Sequence, residues 1–281
     1  MTYSNLVFSG GGVKGVAYVG ALQVLAEQNI LSGIDAVAGT SAGAITASLV
    51  AAGYTPDEMQ TLFMDLDFTT FEDPTSKPVG IEHLLEHYGW YTGDRFEKWM
   101  QTHLSGDPTF AELYRSTGKD LRIVTCDLVS RERVTLSHET YPNLKVSRGV
   151  RMSMSIALAF IPVTDSQLPG KLLVDGGTVW NYPLEMFDAT DPSATLGFHL
   201  GLPDPAPGPA ITSRTGFVEA LYETEKRAQF DYLMATPADV KRTVFIDVLG
   251  ISTLDFTITP EQKKELIASG AKATTAYLTP A

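Results

Sequence analysis

The chain has 281 residues, 44% of them hydrophobic, which is enough for one substantial α/β core. A formal charge of −12 with no strong basic cluster argues against a nucleic-acid partner and weakens tight electrostatic docking on anionic membranes. Its one cysteine, Cys126 in LRIVTCDLV, excludes internal disulfides and cysteine-rich metal sites and reads as a buried structural thiol.

In chain order, a short apolar strand at residues 5–9 runs through Gly10, Gly11 and Gly12 into a helix at 14–28. A strand at 34–38 then runs through a second glycine cluster into helices at 42–52 and 56–65. Further on, the pattern predicts a helix at 93–103 and strands at 121–127, 131–136, 171–174 and 195–200. A helix at 215–235, a strand at 242–248 and a helix at 260–277 complete the series. Strands alternating with helices imply a single three-layer α/β/α domain with a mostly parallel central sheet. The segment 201–213, GLPDPAPGPAITS, is proline- and glycine-rich and is expected to cross the surface rather than divide domains. Residues 63–115 carry Phe68, Phe71, Tyr88, Trp90, Tyr91, Phe96 and Trp99 between better-defined sheet elements. They are expected to form a helical excursion with its own small core, or a lid or apolar entrance for an acyl chain. No stretch reaches 18 apolar residues, and no basic segment leads into an apolar one at the start. The expected location is the cytoplasm, with signal-independent secretion and peripheral membrane contact left open.

Gly10, Gly12 and Gly15 spell G-x-G-x-x-G behind a strand, a dinucleotide-binding pattern. That reading needs an acid at the C-terminal end of the second strand. Asp35 sits at the start of that strand instead, and the required place holds Gly39-Thr40-Ser41-Ala42-Gly43. This G-x-S-x-G lies between a strand-like and a helix-like run, the context of a nucleophile elbow, although a plain tight turn is the alternative. Attack by Ser41 on an ester would create an oxyanion that needs backbone N–H donors. Gly11, Gly12 and Ala42 are the natural ones, with the helix beginning near Lys14 adding its positive end. A base is also needed, and KLLVDGGTVWNYP places Asp175 at the end of an apolar strand, followed by Gly176 and Gly177. On its own, Asp-Gly-Gly reads more simply as an ordinary turn.

In this order, G-G-G-x-K-G at residues 10–15, G-T-S-A-G at 39–43 and D-G-G at 175–177 resemble the patatin-like phospholipases. RMSMSIALAFIPV at 151–163 and residues 251–278 are also similar to regions of that family. One departure is Ala157, where members often carry proline; it touches none of the three motifs. The resemblance implies a patatin-like fold and a Ser41–Asp175 dyad without histidine. The implied activity is hydrolysis of phospholipid or other acyl-ester lipids of phospholipase A or lysophospholipase type, with no metal or organic cofactor. Acyl transfer and catalytically silent lipid binding are the alternatives, and the need for a protein activator is left unassigned. A rival triad would add His199, since Ser41, Asp175 and His199 follow the chain order of α/β-hydrolases. HLLEH at 83–87 matches a zinc pattern, but its helix is short and no third ligand follows. Lys14 is expected to support the glycine loop by its charge or by hydrogen bonds to nearby carbonyls, and Lys14 and Arg151 are also candidate contacts for a substrate phosphate.

Overall fold

The structure is a computed structural model that describes residues 3–73, 75–189, 191–204, 208 and 210–279. Its elements in chain order are β1 (Asn5–Phe8), α1 (Ala17–Glu27), β2 (Ala36–Thr40), α2 (Ala42–Ala51), α3 (Pro56–Asp65), α4 (Lys77–His87), β3 (Gly89–Tyr91), α5 (Asp94–His103), α6 (Phe110–Thr117), β4 (Asp120–Asp127), β5 (Glu132–Leu136), α7 (Val146–Ser153), β6 (Leu158–Phe160), β7 (Leu173–Asp175), α8 (Gly177–Trp180), β8 (Thr195–Leu200), α9 (Arg214–Met234), α10 (Pro237–Lys241), β9 (Thr243–Ile246) and α11 (Pro260–Leu278). The main sheet runs β5-β4-β2-β1-β8-β9, with β7 also paired to β4. Strands β1, β2, β4, β8 and β9 are parallel, as connections through helices require, and β5 and β7 are antiparallel to β4.

The period-2 alternation of strand side chains divides the core. Leu6, Phe8, Val37, Ile123, Leu196 and Phe198 point into one large apolar cluster shared with α1, α2 and α11. Val7, Ala36 and Ala38 point the other way, onto Phe187 and Tyr182. That second face is completed by α9, whose Phe230 packs on His199 of β8 and Phe245 of β9. Helices α1 and α11 cross closely: a Cβ at Gly20 would overlap the Ile267 carbonyl oxygen, and one at Gly270 would overlap that of Ala17.

All seven expected strands and all six expected helices form. The helix expected from residue 14 begins as a 3-10 turn, Gly12–Val16, before α1. Several short elements go beyond those expectations. Helix α6 carries a legible start signal, the Thr109–Glu112 capping box. Helix α7 is short and contains Ser147 and Gly149; it forms because Val146, Val150 and Met152 are buried in the core. Strands β3 and β6 form a separate two-stranded parallel sheet whose three-residue members are too short for a periodicity to register. Of the proline-rich stretch 201–213, residues 205–207 and 209 lie outside the described residues.

Candidate active site

Strand β2 ends at Thr40, and the next residue, Ser41, adopts φ 53° and ψ −121° before α2 begins at Ala42. A positive φ on a non-glycine residue costs of order 1–3 kcal/mol, so the surroundings must hold it. Part of that hold is space. A Cβ at Gly39 would overlap the Gly43 carbonyl oxygen, and one at Gly43 would overlap the Phe8 carbonyl oxygen, so glycine lets strand and helix meet this closely. The rest is a hydrogen bond. The Ser41 N–H donates to Ser153 Oγ at 2.9 Å, and Ser153 Oγ–H donates to the Val124 carbonyl at 2.6 Å. Ser153→Ala leaves both backbone groups buried without that partner. It is expected to cost about 1–3 kcal/mol in thermal or denaturant unfolding and to lower kcat more than KM, because the elbow loosens.

Asp175 reaches Ser41 through sheet geometry. Residues 120–124 of β4 pair with β2, and residues 125–127 pair with β7 on that same side. Because β7 runs antiparallel, its C-terminal end points at the C-terminal end of β2. Thr40 lies opposite Val124, and Asp175 lies opposite Thr125, one position on. The expectation that Asp175 ends an apolar strand therefore holds, but the strand runs opposite to the parallel set. The two side chains meet because two strands share one slot end to end.

The Asp175 carboxylate is fully buried, whereas Ser41 is 2% exposed. Its Oδ1 accepts the Gly177 N–H at 2.6 Å and the Tyr222 hydroxyl at 3.2 Å, and its backbone N–H donates to Ser155 O at 2.8 Å. Oδ2 has no hydrogen-bond partner among the described residues. Burial pushes the carboxyl up to about 6, against the opposing pull of the Gly177 N–H, the Ser41 hydroxyl, Tyr222 and the Lys226 charge. Such a carboxylate can take up and return a proton near neutral pH.

The glycine loop faces the same point. Gly10 N–H donates to Asn181 O at 2.9 Å, whereas the N–H groups of Gly11, Gly12 and Ala42 meet no acceptor among the described residues. Gly12 sits at φ 59°, pressed against the Thr253 carbonyl. Gly15 lies against the Ala42 side chain, and a Cβ at Gly176 would overlap the Val124 carbonyl oxygen. From Gly12, Ser41 and Ala42 a narrow apolar cavity of about 40 Å³ passes Phe68, Phe71, Phe96, Met154, Phe160 and Phe256. That is room for a few waters, so an acyl chain would need these side chains to move. Three aromatics of the 63–115 excursion thus line the wall beside the serine. Others do different work: Trp90 lies under the Arg214 guanidinium at 3.6 Å, and the Tyr91 hydroxyl donates to Glu72.

The candidate phosphate contacts are given protein partners instead. Lys14 is buried, with Nζ 3.2 Å from Glu223 Oε1, which also pairs with Lys226 at 2.8 Å. The pair ties the glycine loop to α9. Arg151 is buried with its Nη2 on the carbonyls of Thr92 and Ile161 and its Nη1 on Ser155 Oγ. It pins the β3–β6 region to the Ser155 turn. His199 makes no hydrogen bond to Ser41 or Asp175. Its ring packs against Tyr182, Phe230 and Phe245, with Nδ1 toward Gly201 O, and burial lowers its pKa to about 4. His83 Nδ1 is turned to the Trp90 carbonyl, 3.2 Å away, and its ring centre lies 6.0 Å from that of His87. Cys126 is buried, which pushes its thiol up to about 11.

Several residues at the site went unmarked in the sequence. Ser153 and Ser155 stand in the RMSMS segment, which the sequence marked only by its similarity to a region of the family. Asn181 and Gln229 join the loop to the Asp-Gly-Gly turn, since Gln229 Oε1 accepts the Asn181 N–H and its Nε2 donates to Gly177 O. Tyr222 lies 47 residues beyond Asp175 on α9, and nothing in its local sequence distinguishes it from a core aromatic.

Residues 6–188 match the family model described as patatin-like phospholipase. Bacillus subtilis (strain 168) has a relative, called uncharacterized protein YqhO, that is 32% identical over 98% of both chains. The probable lipid hydrolase 463L of Invertebrate iridescent virus 6 is 25% identical over 66% of this chain and 63% of its own. Among solved structures, VipD from Legionella pneumophila shares the fold with a TM-score of 0.68 at 19% identity, over 99% of this chain and 67% of that one. Since the family match takes in well over half of its length and includes both Ser41 and Asp175, the chain belongs to the patatin-like phospholipase family.

Proposed function

We propose that the protein is a lipid acyl hydrolase of phospholipase A or lysophospholipase type that works through Ser41 and Asp175 and an acyl-enzyme. The observation that carries this reading is the end-to-end meeting of β2 and β7, which sets a serine at φ 53° beside a buried carboxylate with one unpartnered oxygen. Asp175 Oδ2 takes the Ser41 Oγ proton as Oγ bonds to the ester carbonyl carbon, and the oxyanion is received by N–H groups of Gly11, Gly12 and Ala42. The proton then passes to the leaving alkoxide oxygen as the C–O bond breaks. Water next attacks the acyl-enzyme, giving one proton to Asp175 and through it to Ser41 Oγ, and the fatty acid leaves.

The apolar cavity beside Ser41 is the acyl site in this scheme, and the excursion aromatics Phe68, Phe71 and Phe96 are the side chains that give way to the chain. Exposed Ile81, Leu85, Tyr88 and Leu158 are the apolar groups for transient contact with a lipid surface; Leu158 pairs with Gly89 in the small sheet that also carries Phe160. No described helix is long and apolar enough to cross a membrane.

The test is mass spectrometry of the intact protein after a fluorophosphonate, with a mixed phospholipid assay in parallel. One adduct on Ser41 together with fatty-acid release supports the reading; a folded protein that neither labels nor releases fatty acid refutes it. His199→Ala is expected to keep most of the turnover per folded molecule, since the ring fills core space between Tyr182 and Phe230. A well-folded, inactive His199→Ala protein would overturn the dyad in favour of a triad.

A further inference from the structure

Helix α9 lies beyond the region matched by the family model, yet it sends one polar atom into the centre of the site. Tyr222 is buried, and its hydroxyl donates to Asp175 Oδ1 at 3.2 Å. The same oxygen explains why one motif position lacks a side chain. A Cβ at Gly177 would overlap Tyr222 Oη, whereas one at Gly10 would overlap Asn181 Oδ1 and stand 3.3 Å from Tyr222 Oη. The Gly-Gly-Gly loop and the Asp-Gly-Gly turn therefore close around a phenol supplied from elsewhere in the chain.

A carboxylate whose two oxygens are equivalent can present either one to a neighbouring hydroxyl. Here they are not equivalent. Oδ1 holds two donors, the Gly177 N–H and the Tyr222 O–H, and Oδ2 holds none among the described residues. We propose that Tyr222 is a positioning residue of the site: its hydroxyl saturates Asp175 Oδ1 and fixes the carboxylate plane, so that Oδ2 alone takes the Ser41 proton. This rests on the Ser41–Asp175 reading above.

The direction of the hydrogen bond follows from the groups present. Burial keeps the phenol neutral, with its pKa pushed well above the ordinary value, so Tyr222 donates and the carboxylate accepts. A donor on the charged form of an acid favours that form. The other groups facing Asp175 are Lys226, also on α9 with Nζ 4.8 Å from the Tyr222 ring centre, the neutral thiol of Cys126 on β4 and the hydroxyl of Ser41. Lys14 and Glu223 form the next layer and pair with each other and with Lys226. Tyr222 is thus one of only a few groups that hold this buried carboxylate ionised near neutral pH.

The test compares wild type with Tyr222→Phe, which keeps the ring and removes only the hydroxyl. Hydrolysis of 4-nitrophenyl butyrate is followed from acid to mildly alkaline pH, with fluorophosphonate labelling of Ser41 read by mass in the same buffers. Loss of the donor should move the acid limb of kcat/KM upward by roughly one pH unit. The labelling rate should move with it, and kcat should fall about tenfold while KM stays within about twofold. A hydroxyl that served only packing would lower the melting temperature and leave the limb where it was. An unshifted limb in an active, labelled Tyr222→Phe protein therefore overturns the role of Tyr222 while leaving the dyad intact. A wild type that neither labels nor hydrolyses the ester overturns the dyad, and this inference with it.

Discussion

Ser41→Ala is expected to remove turnover by about 10⁴-fold or more and to abolish fluorophosphonate labelling while leaving the protein folded. The magnitude follows from the chemistry: the one other hydroxyl on the elbow, that of Thr40, donates to the Trp180 carbonyl at 2.9 Å, so on the proposed mechanism the acyl-enzyme has no second place on the elbow to form. What remains is the effect of binding and of the N–H groups of Gly11, Gly12 and Ala42 on direct attack by water. Folding should be spared, because the elbow is held by the Ser41 backbone N–H on Ser153 Oγ and by the close approach at Gly39 and Gly43, none of which involves the Ser41 side chain. The checks are the steady-state rate, the intact mass after the probe and the melting temperature. Residual activity within tenfold of wild type would move the nucleophile elsewhere.

Asp175→Asn should cost about 10³- to 10⁴-fold in kcat, a loss of the size found when a catalytic carboxylate becomes an amide. The geometry gives the reason. Two donors, Gly177 N–H and Tyr222 Oη–H, converge on Oδ1, so the amide oxygen will take that place and the amide NH₂ will stand where Oδ2 was. A donor then faces the serine hydroxyl in place of a base.

The same substitution should change stability in the opposite sense. The folded-state pKa of about 6 lies above the ordinary value of 3.8, so between these pH values the folded state binds the proton more tightly than the unfolded state does. Stability from this group is therefore present at low pH and lost as pH rises to about 6, by an amount of about 3 kcal/mol. Asparagine carries no such dependence. Asp175→Asn should melt higher than wild type at pH 8 and lose that advantage toward pH 4, which thermal unfolding at the two pH values will read. If Asp175 is the base, as proposed, the same ionisation is expected to set the acid limb, with activity lost as pH falls through about 6.

Much of this was legible in local sequence. Glycine and serine at 39–43 could form the elbow only because of properties that those residues carry by themselves: the absence of a side chain where strand and helix approach, and a hydroxyl at the turn. The apolar runs that became β1, β2, β4 and β8 announced a mostly parallel sheet through their length and spacing. The acid at 175 was marked by the glycines after it.

The direction of β7 was not legible, because an apolar run of three or four residues reads the same in a parallel or an antiparallel strand. Only pairing with residues 125–127 of β4 decided that Asp175 would point back at Ser41. The partners of Lys14 and Arg151 were not legible either, since Glu223 lies far from Lys14 in the chain and the Thr92 and Ile161 carbonyls reach Arg151 across a turn and a second sheet. The spacing of His199 suited a triad, but the β8 side-chain alternation turned its ring to the face covered by α9. Tyr222 carried no mark at all. The sequence by itself determined which groups could do the chemistry, because reactivity and backbone freedom belong to individual residues. The tertiary structure decided which of them meet, because strand direction, burial and hydrogen-bond partners arise between segments that no local pattern connects.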